Sequence, residues 1–270
     1  MLALVLSATD SLGAEIADGE NPYLTDTFYL DIGLFFPSRE LKLSVNGSVA
    51  GARSAIDFDE AFGVKKSDDV LSVNGGWRFS ENWQLGAQFF ASDGQQSRLL
   101  EEDIEWGDYT FGADTGVVAG LDFSLIRTFF ARKFETAEHH SFGIGIGVHW
   151  LEIGAFIEGN AIINGEQAGF RRESVSAKAP LPNIGAWYIR TLSERWSLRA
   201  RFDWLEADID KYDGRLINAS ASINYAFSNH VGIGASYNLF QLNVGVDEDD
   251  WRGDVKTSYE GLFVHASLYW

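Results

Sequence analysis

The sequence predicts an all-β fold, a single antiparallel up-and-down β-barrel that spans a membrane. Three observations predict it. Glycine and aromatic residues are abundant together, with 28 Gly, 20 Phe, 9 Tyr and 9 Trp in 270 residues, as in many-stranded sheets rather than helical proteins. Stretch after stretch alternates apolar and polar residues with period two. Short polar turns alternate with longer acidic connections, which suits a barrel with short turns at one membrane face and longer loops at the other. No run of about 18 apolar residues occurs, so a membrane-spanning helix is excluded, whereas barrel strands need only about ten alternating residues each.

The elements follow in order. Residues 1–14, "MLALVLSATDSLGA", read as the remnant of a signal peptide, with a short apolar stretch and small residues but no basic segment. Residues 15–26 form a polar lead-in, and 27–270 form the barrel. "FYLDIGLFF" sets Phe28, Leu30, Ile32, Leu34 and Phe36 against Asp31 and Gly33. "LSVNGGWRF" sets Leu71, Val73, Trp77 and Phe79 against Ser72, Asn74 and Arg78. "WSLRARFDW" sets Trp196, Leu198, Ala200, Phe202 and Trp204 against Arg199, Arg201 and Asp203. "INASASINYAF" sets Ile217, Ala219, Ala221, Ile223, Tyr225 and Phe227 against Asn218, Ser220, Ser222 and Asn224. Such two-faced strands favour one antiparallel sheet or barrel, and no linker or shift in composition divides them.

Tight turns are expected at 80–83, 136–140, 193–196 and 228–230, and long acidic connections at 92–108, 158–178, 206–214 and 247–254. Nine strands can be placed from residue 70 onward. Pro37 and Gly47 break the segment 27–69, so three short strands there give about 12 in all, with a single strand and a total of 10 as the alternative.

Alternation alone does not say which face is outward, since a soluble barrel turns its apolar face inward and a membrane barrel turns it toward lipid. Aromatic residues decide for lipid. Trp77, Phe79, Trp83, Trp196, Tyr225 and Phe227 gather beside the tight turns, and Trp270 falls at the same level. A membrane–water interface selects such a girdle. A polar interior then also solves the problem of filling a wide barrel with the alanines and leucines available.

Charge and composition exclude other classes. A formal net charge of −18 disfavours nucleic acid as a partner. The absence of Cys excludes disulfides and thiolate metal sites. The acidic runs "EEDIEWGD" and "DEDD" could bind Ca²⁺ or bridge to lipopolysaccharide through divalent cations, but they lack the EF-hand pattern and read as solvated loops. No metal site and no cofactor are expected.

The last strand, "LFVHASLYW", resembles the C-terminal signal of bacterial outer-membrane proteins, with Leu262, Val264, Ala266, Leu268 and Trp270 as its alternating apolar positions. "AIDFDEAFGV" (55–64), the "WRFSENWQL" hairpin, "APLPNIGAWY" (179–188) and "YNLFQLNV" (237–244) are similar to a largely uncharacterised family of proteobacterial outer-membrane barrels. Ile56, Asp57, Phe62 and Gly63 occupy that family's acidic segment. The resemblance implies an outer-membrane location, outer-membrane lipid and lipopolysaccharide as surroundings, and recognition of the last strand by the barrel-assembly machinery. It carries no catalytic residues, and it leaves oligomeric state open.

Candidate site residues come from the polar face. Asp31, Arg78, Asp122, His149, Arg199, Arg201, Asp203 and His265 are expected in the lumen, as a salt-bridged plug or a selective constriction. Mixed signs favour the plug, because selective fields come from rings of one sign. His149 and His265 could serve as general bases, but lumenal histidines more often join a hydrogen-bond network, and His139, His140 and His230 sit at tight turns. "GIGIGVHW" (143–150) opens no helix and reads as a glycine-smoothed strand face, and no G-x-S-x-G or H-E-x-x-H occurs. The expectation is therefore a non-enzymatic barrel with a structural or passive small-solute role. An outer-membrane enzyme acting on lipid or peptide at the external rim is the alternative.

Overall fold

The computed structural model describes residues 21–43, 56–57, 70–106, 109–134, 139–209, 212–247 and 252–270. Ten antiparallel strands close a ring: β1 (Phe28–Leu43), β3 (Val70–Ser80), β4 (Trp83–Leu99), β7 (Gly116–Phe134), β8 (His140–Ile163), β9 (Glu166–Thr191), β10 (Trp196–Ile209), β11 (Tyr212–Ala226), β12 (Val231–Asp247) and β13 (Arg252–Tyr269). Each pairs with the next, and β13 pairs back to β1 from Tyr29↔Tyr269 to Leu43↔Val255. Three short strands lie outside the ring. The strand β2 (Ile56–Asp57) pairs with β1, and β5 (Ile104–Trp106) forms a hairpin with β6 (Tyr109–Phe111), which touches β8.

The lower of the two expected counts is the one that closes. Pro37 does not end the first strand: it sits within β1 opposite Gly261, so Phe28–Leu43 is one element. The proposed signal remnant at 1–14, Phe62 and Gly63 of the acidic segment, and much of the "DEDD" run lie outside the described residues.

The four expected tight turns all fall at one end of the ring, between β3 and β4, β7 and β8, β9 and β10, and β11 and β12. The other end differs from expectation at 206–214, where β10 runs to Ile209 and β11 starts at Tyr212, and most of all at 158–178. That stretch is no loop: β8 and β9 run 24 and 26 residues and meet at Asn164–Gly165, both with positive φ (48° and 83°). Asn-Gly is the favoured pair for a two-residue hairpin turn whose twist matches its strands. Strands of this length extend well past a bilayer that about ten residues can cross.

The outer wall near the short-turn end is an apolar belt. Ile32, Leu34 and Phe36 of β1, Leu85 and Phe89 of β4, Ile144, Ile146 and Val148 of β8, and Leu262, Val264 and Leu268 of β13 all point outward and are exposed. One-residue slips in register would turn this belt into the lumen, so the belt fixes the pairing.

Hydropathy then reverses along the same strands. On β7, Phe134, Phe130 and Ile126 face outward, but farther from the short turns Leu125, Phe123, Leu121, Ala119 and Val117 face inward. Together with Phe35, Phe90, Leu151, Ile153, Ile157, Phe240 and Tyr259 they build an apolar core inside the distal half. Beyond the bilayer the outer wall meets water, so the apolar face turns inward as in a soluble barrel.

At the seam, Gly33 of β1 lies so close to β13 that a Cβ would collide with the Val264 carbonyl oxygen and the His265 Cα. Gly33→Val is therefore expected to prevent seam closure. Its folded, heat-modifiable band on unboiled SDS gels should be lost, and a wild-type yield of that band would refute the assignment.

Candidate functional site

The polar lumen lies within the belt, between the short-turn mouth and the distal apolar core. At the mouth sits a short helix, α1 (Pro22–Thr25), capped by the Asn21 side chain, which accepts from the Tyr23 N–H at 3.1 Å. Pro22 at the helix start has the φ that a first turn requires. The expected polar lead-in thus ends in a lid. Asn21 donates through Nδ2 to the Glu194 carbonyl at 3.1 Å, tying α1 to the β9–β10 turn. Arg78 donates to the carbonyl oxygens of Tyr23 and Asp26. Tyr23 is buried against Tyr29 and Tyr269, with ring centroids 5.5 and 5.0 Å away. Burial, followed by the neighbouring Asp31 carboxylate, raises the Tyr23 hydroxyl well above its ordinary pKa. Burial also raises the Asp26 carboxyl, with Arg78 opposing.

Above the lid, Asp31 collects donors from several elements. It accepts from the Tyr23 hydroxyl at 2.5 Å, Ser267 Oγ at 2.8 Å and Asn74 Nδ2 at 3.0 Å. Arg199 Nη1 lies 3.7 Å from it and His265 Nε2 3.8 Å. Arg199 also donates to the Tyr29 hydroxyl at 2.7 Å and stacks 4.7 Å over that ring, while His265 donates to Asn224 Oδ1 at 3.1 Å.

A second cluster centres on Asp203 of β10. Arg127 grips it with both arms of the guanidinium fork, Nε to Oδ2 at 2.6 Å and Nη2 to Oδ1 at 2.7 Å. This bidentate geometry is the strongest form of the pair. Asn218 donates to Asp203 at 3.4 Å, and Arg201 Nε lies 3.6 Å away. Arg201 donates through Nη2 to Gln88 at 2.6 Å. His149 accepts at Nε2 from Asn218 at 2.9 Å and donates from Nδ1 to Asn183 at 3.0 Å, which fixes the neutral Nδ1–H tautomer.

Glycine makes this crowding possible. Gly185 of β9 faces Asp203, and a Cβ there would strike Oδ1 of the carboxylate. Gly143, from the "GIGIGVHW" face, leaves room in the same way for the Trp187 indole.

The structure brings Asp31, Arg78, His149, Arg199, Arg201, Asp203 and His265 together in the lumen. Asp122 is a correction. It is exposed on the outer wall of β7, opposite Asp93 of β4 and close to the Glu152–Lys178 ion pair level, because it lies beyond the point where hydropathy reverses. Arg127 was not legible as a lumenal residue: Leu125 and Ile126 before it are both apolar, so parity there is ambiguous. The girdle positions Trp77, Phe79, Trp83, Trp196, Phe227 and Trp270 are exposed on the outer wall at the short-turn end, with Tyr225 beside Trp196. Phe28, Phe130, Phe134 and Phe142 extend the band by ring stacking. Leu262, Val264, Ala266, Leu268 and Trp270 all face outward on β13 and beyond it.

Chemically, the arrangement is a set of buried groups most of which pair with one another, while Arg201 Nε and His265 Nδ1 have no hydrogen-bond partner. His149 and Asp203 are fully buried and His265 and Asp31 nearly so, with the His–Asp pairs 3.9 and 3.8 Å apart. Among the described residues no cluster of three or more His, Asp or Glu could hold a metal ion.

No family model matches the chain, and no curated protein matches it. Solved structures do. The Escherichia coli outer membrane protease OmpT is 10% identical with a TM-score of 0.53, over 90% of this chain and 96% of that one. The Pseudomonas putida toluene transporter TodX is 10% identical, TM-score 0.38, over 91% and 90%. Ail, the attachment invasion locus protein of Yersinia pestis, is 12% identical, TM-score 0.31, over 90% and 99%. With its closed ring, apolar belt and aromatic girdle, the chain has the fold of the bacterial outer-membrane β-barrels.

Proposed function

We propose that the protein is a structural barrel of the outer membrane, non-enzymatic, with a lumen closed by its own side chains. One observation carries the reading: three successive layers obstruct the axis. The α1 lid is tied across the short-turn mouth by Asn21 and Arg78, the Asp31 and Asp203 networks lie at the belt level, and the apolar core lies in the distal half. A cavity between Gln88, Phe90, Asn218 and Tyr259 amounts to about 10 Å³, the space of a single water. Mixed charges at contact distance also cancel the field that a selective pore requires.

Planar-bilayer recording tests this reading. The refolded barrel is expected to give no steady conductance steps. Regular ion-sized steps would overturn the closed-lumen reading in favour of passive solute transport, and hydrolysis of phospholipid or peptide by the same preparation would favour a rim enzyme.

Recognition by the barrel-assembly machinery belongs to the same reading. The outward row Leu262, Val264, Ala266, Leu268 and Trp270 is continuous and unobstructed on the outer wall, which supports it as the face that is read.

A further inference from the structure

The outer wall above the belt carries a groove of about 430 Å³, lined by Arg215, Ile217, Gln241, Asn243, Lys256 and Ser258. It spans β11, β12 and β13. Register places Arg215 beside Asn243 and Asn243 beside Lys256, so two cations and an amide form one transverse row. Arg215 and Lys256 are exposed, and neither has an ion-pair partner among the described residues. They stand two strands apart, about 10 Å between backbones, with Asn243 as the floor. In a chain of net charge −18 this concentration of positive charge is unusual. Glu206, the register partner of Arg215, and Glu260, two outward positions below Lys256, flank the groove without lining it.

What lies below identifies the occupant. Toward the belt the same strands present first Ala219, Leu239 and Glu260 and then Ala221, Tyr237 and Leu262, of which Tyr237 and Leu262 are exposed hydrophobic side chains. A molecule seated in the groove therefore meets cations and amides at the head and hydrocarbon-facing wall beneath. The groove lies toward the end of the strands away from the tight turns, the end that the outer-membrane reading sets at the outer leaflet. We propose that it is a binding site for the phosphorylated glycolipid of the outer leaflet, the lipid A part of lipopolysaccharide. Arg215 and Lys256 grip a phosphate, with Asn243 and Gln241 donating beside it, and the acyl chains lie along Tyr237 and Leu262. Clustered basic side chains at a membrane surface attract anionic lipid in this way, and Arg matches phosphate with two parallel donors.

The inference rests on the outer-membrane reading, and the experiment separates the two. The full chain is refolded in neutral detergent micelles, and strand content is verified by circular dichroism. Thermal unfolding is then followed against added diphosphoryl lipid A, dephosphorylated lipid A or inorganic phosphate. Diphosphoryl lipid A alone is expected to raise the midpoint in a saturable manner. Replacing both cations, Arg215→Gln with Lys256→Gln, should weaken that response about 30-fold at unchanged strand content, since each cation near an anionic surface contributes about a fivefold factor. Equal responses to the two lipids, an undiminished response in the double variant, or full competition by inorganic phosphate would each overturn the assignment. Failure to fold in any micelle would instead remove the membrane reading on which it stands.

Discussion

Replacing Asp203 by alanine is expected to destabilise the barrel by about 3–5 kcal/mol, the effect of breaking a buried ion pair by removing one partner. The carboxylate has no exposed surface and answers a bidentate Arg127, with Arg201 and Asn218 close by. Its loss leaves two buried guanidinium groups facing one another with no anion between them. Arg201 is already under-satisfied, since its Nε has no hydrogen-bond partner. Water cannot fully compensate, because the apolar core lies above and the lid below. Urea unfolding in lipid vesicles measures the effect, with Arg127→Met, Asp203→Leu as the companion variant. The pair removed together should be less destabilising than Asp203→Ala alone, because replacing both charges removes the orphan. A single variant within about 1 kcal/mol of wild type, below the range for breaking a buried pair, would show the network to be solvated.

The belt half of the fold was legible because lipid imposes one rule on every strand. Ile217 to Tyr225 and Trp196 to Trp204 carry their apolar residues on one parity, and the structure turns that parity outward. The distal half was not legible by the same rule. There the outside is water, so Phe123 and Leu121 turn inward and Asp122 outward, although nothing in the local alternation marks where the bilayer ends. The transition falls in the run Phe123–Ser124–Leu125–Ile126–Arg127, where apolar residues occupy both parities. That run is the sequence trace of the reversal, and it hides Arg127, the principal partner of Asp203.

The lid was hidden for a different reason. Four helical residues carry no amphipathic period, and the significance of Tyr23 depends on Tyr29 and Asp31 of β1 together with Tyr269 of β13, strands from the two ends of the chain that only barrel closure brings together. The Asn164–Gly165 turn, by contrast, was present as a hairpin signal but lay inside a polar, charged stretch. Polarity there reflects two strands whose outer faces stand in water, and the Arg172–Glu158 pair at 2.9 Å spans them.

The face assignment itself is tested at Ala221, midway along the outward series from Ile217 to Tyr225 on β11. Its register partners are Ala200 and Tyr237, and Tyr237 is exposed on the same outer wall. Arginine at Ala221 is expected to cost about 2–4 kcal/mol, the range for a cation on the lipid face near the bilayer midplane. Leucine at the same position should be close to neutral, since lipid accepts added hydrocarbon without a cavity to overfill. A barrel with this face inward would behave differently, because leucine would overpack a filled interior by about 1–3 kcal/mol. Ser220 supplies the contrast on the lumenal side. Its register partner is Arg201, so an arginine there adds a third cation beside Arg201 and Arg127 in a packed lumen. Both arginine variants are therefore destabilising, but through different physics. Raised salt should relieve the Ser220→Arg penalty only weakly, and exchange for a thinner bilayer should reduce the Ala221→Arg penalty alone, because its charge then lies nearer the interface. Urea midpoints in vesicles of two acyl-chain lengths measure both. A penalty at Ala221 independent of bilayer thickness, together with a costly leucine, would place this face inside the barrel.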